Sequence, residues 1–71
     1  MLAQRLRSLR LRCHLTQAQA AARAGVAAST WACWEQGRRT PRLRTLPRVA
    51  AAVGATMADL LGGTRKPLDY A

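Results

Sequence analysis

Phenylalanine is absent from this 71-residue sequence, which holds three aromatic residues (Trp31, Trp34, Tyr70), one histidine, two cysteines and three acids. Each scarcity removes a class of protein. Cys13 and Cys33 stand twenty positions apart, no CxxC pair occurs and His14 is the single histidine, so the ligands of a structural zinc site are missing and no metal site is expected. Glu35, Asp59 and Asp69 are too scattered to pair as catalytic carboxylates, and no acid, base and nucleophile converge. The chain therefore reads as a non-enzyme without a cofactor. No apolar run approaches the roughly 20 residues that cross a bilayer. A soluble, cytoplasmic protein with free thiols is expected, since reducing compartments disfavour disulfides. Alternating apolar residues, the mark of a half-buried strand, are also missing.

Alanine is the commonest residue, which favours helix and gives a thin core. The expected fold class is all-α: one five-helix domain over residues 1–63, near the lower size limit for a single hydrophobic core, followed by a tail over 64–71. Twelve basic residues oppose three acids for a net charge of +9, and residues 1–34 carry no acid at all. Such an excess calls for an anionic partner: nucleic acid, a membrane surface or an acidic protein. Charge alone does not choose among them.

Leu2, Leu6, Leu9 and Cys13 recur at helical spacing with Arg5, Arg7, Arg10 and Arg12 on the remaining surface, predicting an amphipathic first helix. Arginine-rich and free of acids, it also has the look of a transit peptide or membrane-surface helix, but a core-facing helix is more consistent with the packing pattern of residues 15–61. Thr16 caps a second helix to about Ala24, with Leu15 placed to staple the turn and Ala18, Ala21 and Ala22 forming a smooth inner face. Gly25 supplies its left-handed stop and Val26 plugs the corner. A third helix runs from near Ala28 to Gln36, stopped by Gly37, with Trp31 and Trp34 on its inner face. Arg38 to Arg44 is a basic loop around Pro41. Thr45 is positioned to cap a fourth helix with Leu46 and Pro47 in its first turn, Val49, Ala50 and Val53 inward, and Gly54 as its end. Thr56 and Asp59 form a capping box for a short fifth helix through Met57, Leu60 and Leu61, and Gly62 and Gly63 close the domain.

Two short helices joined through a glycine turn, alanine inside the first and bulky apolar residues inside the second, describe a helix-turn-helix. Ala28, Ser29, Ala32 and Cys33 then face outward from the second helix of the pair. The segment Leu15–Gly37, LTQAQAAARAGVAASTWACWEQG, followed by the Pro41 loop and GATMADLL, resembles the lambda-repressor-like family of phage repressors, Cro proteins and XRE-type bacterial regulators. The resemblance covers about residues 2–62 and rests on several features agreeing in order. It implies a five-helix domain that binds operator DNA, usually as a symmetric dimer, with half-sites about 34 Å apart.

Carried over by position, the resemblance implies that Gln17 contacts backbone phosphate, that Ala28, Ser29, Ala32 and Cys33 face bases, and that Arg10 and Glu35 form a structural ion pair. Leu60, Leu61 and residues 54–62 are the implied dimer contact. The sequence departs from the family at two points. Of the base-facing residues only Ser29 has a conventional hydrogen-bonding side chain, and His14 replaces a customary glycine, predicting a strained turn. Affinity should therefore lean on phosphate contacts from Arg38, Arg39, Arg42 and Arg44, assisted by Thr30 and Gln17, with Arg42 or Arg44 a candidate to sense minor-groove width. The leading expectation is a sequence-specific regulator of transcription on double-stranded DNA. The alternatives are an antitoxin or adaptor docking a protein through Pro67–Tyr70, and an RNA-binding or membrane-active basic peptide.

Overall fold

The structure, a computed structural model, describes residues 2–61. The expected Gly62–Gly63 closure, the 64–71 tail and the Pro67–Tyr70 docking strand lie outside the described residues. Five α-helices and no strand occur among them: α1 (Leu2–Arg12), α2 (Gln17–Ala24), α3 (Ala28–Gln36), α4 (Leu46–Ala52) and α5 (Met57–Leu61), with a 3-10 turn at Leu43–Thr45. The all-α expectation holds. α3 packs on both α1 and α2, α4 lies across α2, and α5 closes against α1 and α4.

Local chemistry explains the boundaries. Thr16, in extended conformation, accepts the Gln19 N–H while the Gln19 side chain accepts from the Thr16 N–H, a reciprocal cap that starts α2. The Thr56–Asp59 pair does the same for α5, both bonds being 3.0 Å. Three helices stop on one device. At Gly25, Gly37 and Gly54 the chain turns left-handed, and the following N–H reaches back to the carbonyl of Ala21 (3.0 Å), Cys33 (3.0 Å) and Ala50 (2.9 Å) respectively.

His14 makes the turn between α1 and α2 at φ 59° without being glycine, the strain that the sequence predicts. A left-handed residue with a Cβ costs roughly 1–2 kcal/mol, partly offset because glycine loosens the unfolded chain by about 0.4–1 kcal/mol. His14→Gly is therefore expected to raise stability by about 0.5–1 kcal/mol, read as a higher urea midpoint at unchanged slope.

The core gathers Leu6, Trp31, Val49, Val53 and Leu60, all fully buried, with Leu9, Leu15, Trp34 and Leu46 around them. Four expectations need correction. The inner face of α2 is Ala20, Ala21 and Ala24, while Ala18 and Ala22 are exposed. In a helix built almost wholly of alanine the pattern carries too little contrast to orient it; packing against α3 and α4 decides. Cys13 lies beyond the end of α1 and is exposed, its thiol donating to the Val53 carbonyl rather than filling the core. Thr45 makes no side-chain cap. The 3-10 turn runs straight into α4, so Thr45 is already helical and its own N–H bonds the Arg42 carbonyl at 2.8 Å. Leu60, offered as a dimer contact, is wholly consumed by its own core, whereas Leu61 is 56% exposed.

Candidate nucleic-acid interface

The site begins with one carboxylate. Glu35, in the last turn of α3, turns inward until its side chain is 3% exposed. Burying a charge this far is costly unless it is paired and hydrogen-bonded. Both conditions are met: Arg10 of α1 forks onto it through Nε (2.6 Å to Oε2) and Nη2 (3.0 Å to Oε1). Gln17 Nε2, from the first turn of α2, donates to Oε1 at 3.1 Å, and the indole Nε1 of Trp31 donates to Oε2. The third arm of Arg10, Nη1, donates to the Leu15 carbonyl at 2.9 Å. Among the described residues no buried side-chain nitrogen or oxygen lacks a partner.

These bonds tie three helices together at one end of α3. Desolvation pushes the Glu35 carboxyl upward, but the bonds from Arg10, Gln17 and Trp31 with the Arg10 charge outweigh it, leaving the group below its ordinary value. Arg10 is held above its own, chiefly by the bond to Glu35. The Arg10–Glu35 pairing came from the resemblance; Gln17 and Trp31 as further partners did not. The i, i+4 spacing of Trp31 and Glu35 was the available signal for the indole bond, since that spacing stacks side chains on one helix face.

Trp31 is 0% and Trp34 6% exposed, their rings 5.7 Å apart and tilted by 54°, so both indoles anchor α3 inward. The opposite side carries Ala28 and Ser29, exposed, with Ala32 and Cys33 half-exposed. All four side chains of that strip are small. Gln17 is half-buried and bound to Glu35, so one hydrogen of its amide nitrogen is already engaged. Arg38, Arg39, Arg42 and Arg44 are all exposed in the segment after α3, and Thr30 is half-buried on the helix itself. Among the described residues no group of His, Cys, Asp or Glu could hold a metal ion, and no helix is long and apolar enough to cross a membrane.

The order of α2, a left-handed glycine turn and α3, with the indoles inward and a bare strip outward, is a helix-turn-helix arrangement. A family model described as "Helix-turn-helix domain" matches residues 1–62. The chain belongs to that family. This helix-turn-helix domain is 29% identical over 69 residues to the cryptic phage CTXphi transcriptional repressor RstR of Vibrio cholerae, covering 97% of this chain and 62% of the repressor. It thus spans somewhat under two thirds of that relative's length. Among solved structures it resembles the clp gene regulator ClgR from C. glutamicum, with a TM-score of 0.80 and 28% identity over 94% of this chain and 87% of that one. In this chain the inner face of α2 is wholly alanine, and the Trp31 indole donates to Glu35.

Proposed function

We propose that this chain is a sequence-specific double-stranded DNA-binding protein that regulates transcription, with α3 in the major groove and the arginine-rich segment on the phosphate backbone. The supporting observation is the outward strip of α3: Ala28, Ser29, Ala32 and Cys33 stand clear of the core and are followed by four exposed arginines. A helix fits the major groove, and small residues let it sit deep, with Ala28 and Ala32 able to touch thymine methyls and Ser29 able to bond a base edge. Gln17 reaches backbone phosphate with the amide hydrogen that Glu35 leaves free. The likeness to a phage repressor and to a gene regulator agrees with this reading. The domain functions without chemistry on its ligand, and a homodimer, if formed on DNA, uses Leu61 and its neighbours rather than Leu60.

Selection of binding sites from random duplex DNA tests the proposal. A short motif should be enriched, and Ser29→Ala or Cys33→Ser should change which bases are preferred while altering total affinity less. Enrichment of nothing, together with loss of binding by ~200 mM salt, would mean that only the backbone is recognised and would sink the specific role.

A further inference from the structure

With Arg10 buried against Glu35, nine arginines of the described residues remain at the surface, and only four of them follow α3. The densest group of the other five is on α1, where Arg7 and Arg12 are exposed and Arg5 is half-buried. A helix turns about 100° per residue, which sets Arg5 and Arg12 on one edge of α1 and Arg7 on the other, with Gln4, Ser8 and Leu11 exposed between them. Little offsets this charge. Of the two acids among the described residues, Glu35 is engaged by Arg10; Asp59 of α5, lowered first by its bonds to Thr56, also feels the charge of Arg12. This face lies behind the strip of α3. α1 meets α3 on its inner side, where Arg10 reaches Glu35, and the Arg12 edge turns toward α5, which packs on α1 and α4. Packed helix axes are about 8–10 Å apart, so the outer side of α1 stands roughly 20 Å from the strip. That is about twice the distance over which ~0.1 M salt screens a charge. These arginines therefore add little to the hold on a duplex lying under α3.

What the face lacks selects its partner. Leu2, Leu6 and Leu9 pack into the core, and Leu11 is the one apolar side chain that α1 leaves exposed. A helix that lies on a membrane needs an apolar side to sink among the lipids, and a stable protein contact needs an apolar centre. Neither is offered. What remains is arginine with polar neighbours, the complement of a phosphate backbone. We propose that the outer face of α1 is a second, weaker duplex-binding surface, which takes hold of a neighbouring DNA segment while α3 still occupies the first. The domain then passes directly from one duplex to another without being released between them. This rests on the function proposed above, because the first duplex is the one held through α3.

The test follows the full chain leaving a labelled duplex while unlabelled duplex is raised at constant ionic strength. A contact through three arginines belongs at the weak end of non-specific binding, about 10⁻⁴ M, so competitor at ~100 µM should speed departure of the first duplex several-fold. In the variant Arg5→Gln, Arg7→Gln, Arg12→Gln the departure rate should no longer depend on competitor, with affinity for a single duplex nearly unchanged. The charge-keeping variant Arg5→Lys, Arg7→Lys, Arg12→Lys should restore the dependence, which separates a lost charge from a disturbed helix; circular dichroism checks that both variants keep the fold. A rate from the unaltered chain that ignores competitor, or a glutamine variant that responds as the unaltered chain does, would overturn the second surface while leaving groove binding intact. Capture of the unaltered chain, but not of the glutamine variant, on vesicles of phosphatidylserine and phosphatidylcholine, without any competitor dependence, would assign the face to lipid and overturn the proposal as well. If no labelled complex forms at all, the proposed function itself fails, and this inference with it.

Discussion

Replacing Glu35 by alanine is expected to remove about 3–5 kcal/mol of folding free energy, from a domain whose roughly 60 described residues hold about 3–9 kcal/mol in all. The reason is what stays behind. Arg10 remains 8% exposed with its positive charge unanswered, and the donors of Gln17 and Trp31 lose their acceptor at the same moment. Urea melts followed by circular dichroism should show a variant largely unfolded at physiological temperature. Arg10→Met should be damaging for the reciprocal reason, since it strands a carboxylate whose side chain is 3% exposed. The two changes together should cost less than their sum, by about 0.5–3 kcal/mol, because the second removes the charge that the first left stranded. Strict additivity would show that the pair does not act as a unit.

The same carboxylate sets the acid limit. Its pKa in the folded chain lies below the ordinary value of 4.5, so protons bind more readily to the unfolded state. The stability it contributes is complete above about pH 4.5 and is lost as pH falls through the lower folded value. Asp59, lowered by its bonds to Thr56, acts with the same sign from an ordinary value of 3.8. Glu35→Gln should therefore flatten the acid limb of the stability profile without altering its shape above pH 6.

Changing Arg38, Arg39, Arg42 and Arg44 together to glutamine should have the largest effect on DNA binding. If each neutralises one phosphate, the slope of log affinity against log salt becomes shallower by about 3.6, and at ~0.1 M salt affinity falls by roughly 10³-fold. Stability should barely move, since all four side chains are exposed. Arg7→Gln with Arg12→Gln, on the exposed side of α1, serves as the control and should leave the slope within about one unit. A quadruple variant whose slope drops by less than one would place the segment away from the backbone.

Much of the fold was legible because it is written in local signals. Gly25, Gly37 and Gly54 each end a helix or its turn at the expected position, and the Thr56–Asp59 box was read correctly from four residues. Trp31 and Trp34 were unambiguous as core, being the bulkiest residues at helical spacing. What escaped notice required knowing the neighbours. An alanine helix has no intrinsic inner face, so Ala20 and Ala24 could not be told from Ala18 and Ala22 before α3 and α4 were placed. Thr45 has the composition of a cap but sits in a 3-10 turn that already supplies the backbone partners. Leu60 and Leu61 are chemically identical neighbours, and only the approach of α1 and α4 separates the buried one from the exposed one. The indole bond to Glu35 follows the same rule: the spacing permits it, but the inward turn of the carboxylate decides it.

Because Glu35 is folded away beneath Arg10, the outer surface of the described residues shows nine arginines and almost nothing to balance them but Asp59. Like charges crowded on one small surface repel, and dissolved ions screen that repulsion beyond about 10 Å at 0.1 M. Electrolyte therefore works in opposite directions on the solitary chain and on its complex, tightening the first by shielding and loosening the second by competition. On the function proposed, a polyanion replacing those ions would do both jobs at once, so the domain is expected to be at its firmest when docked.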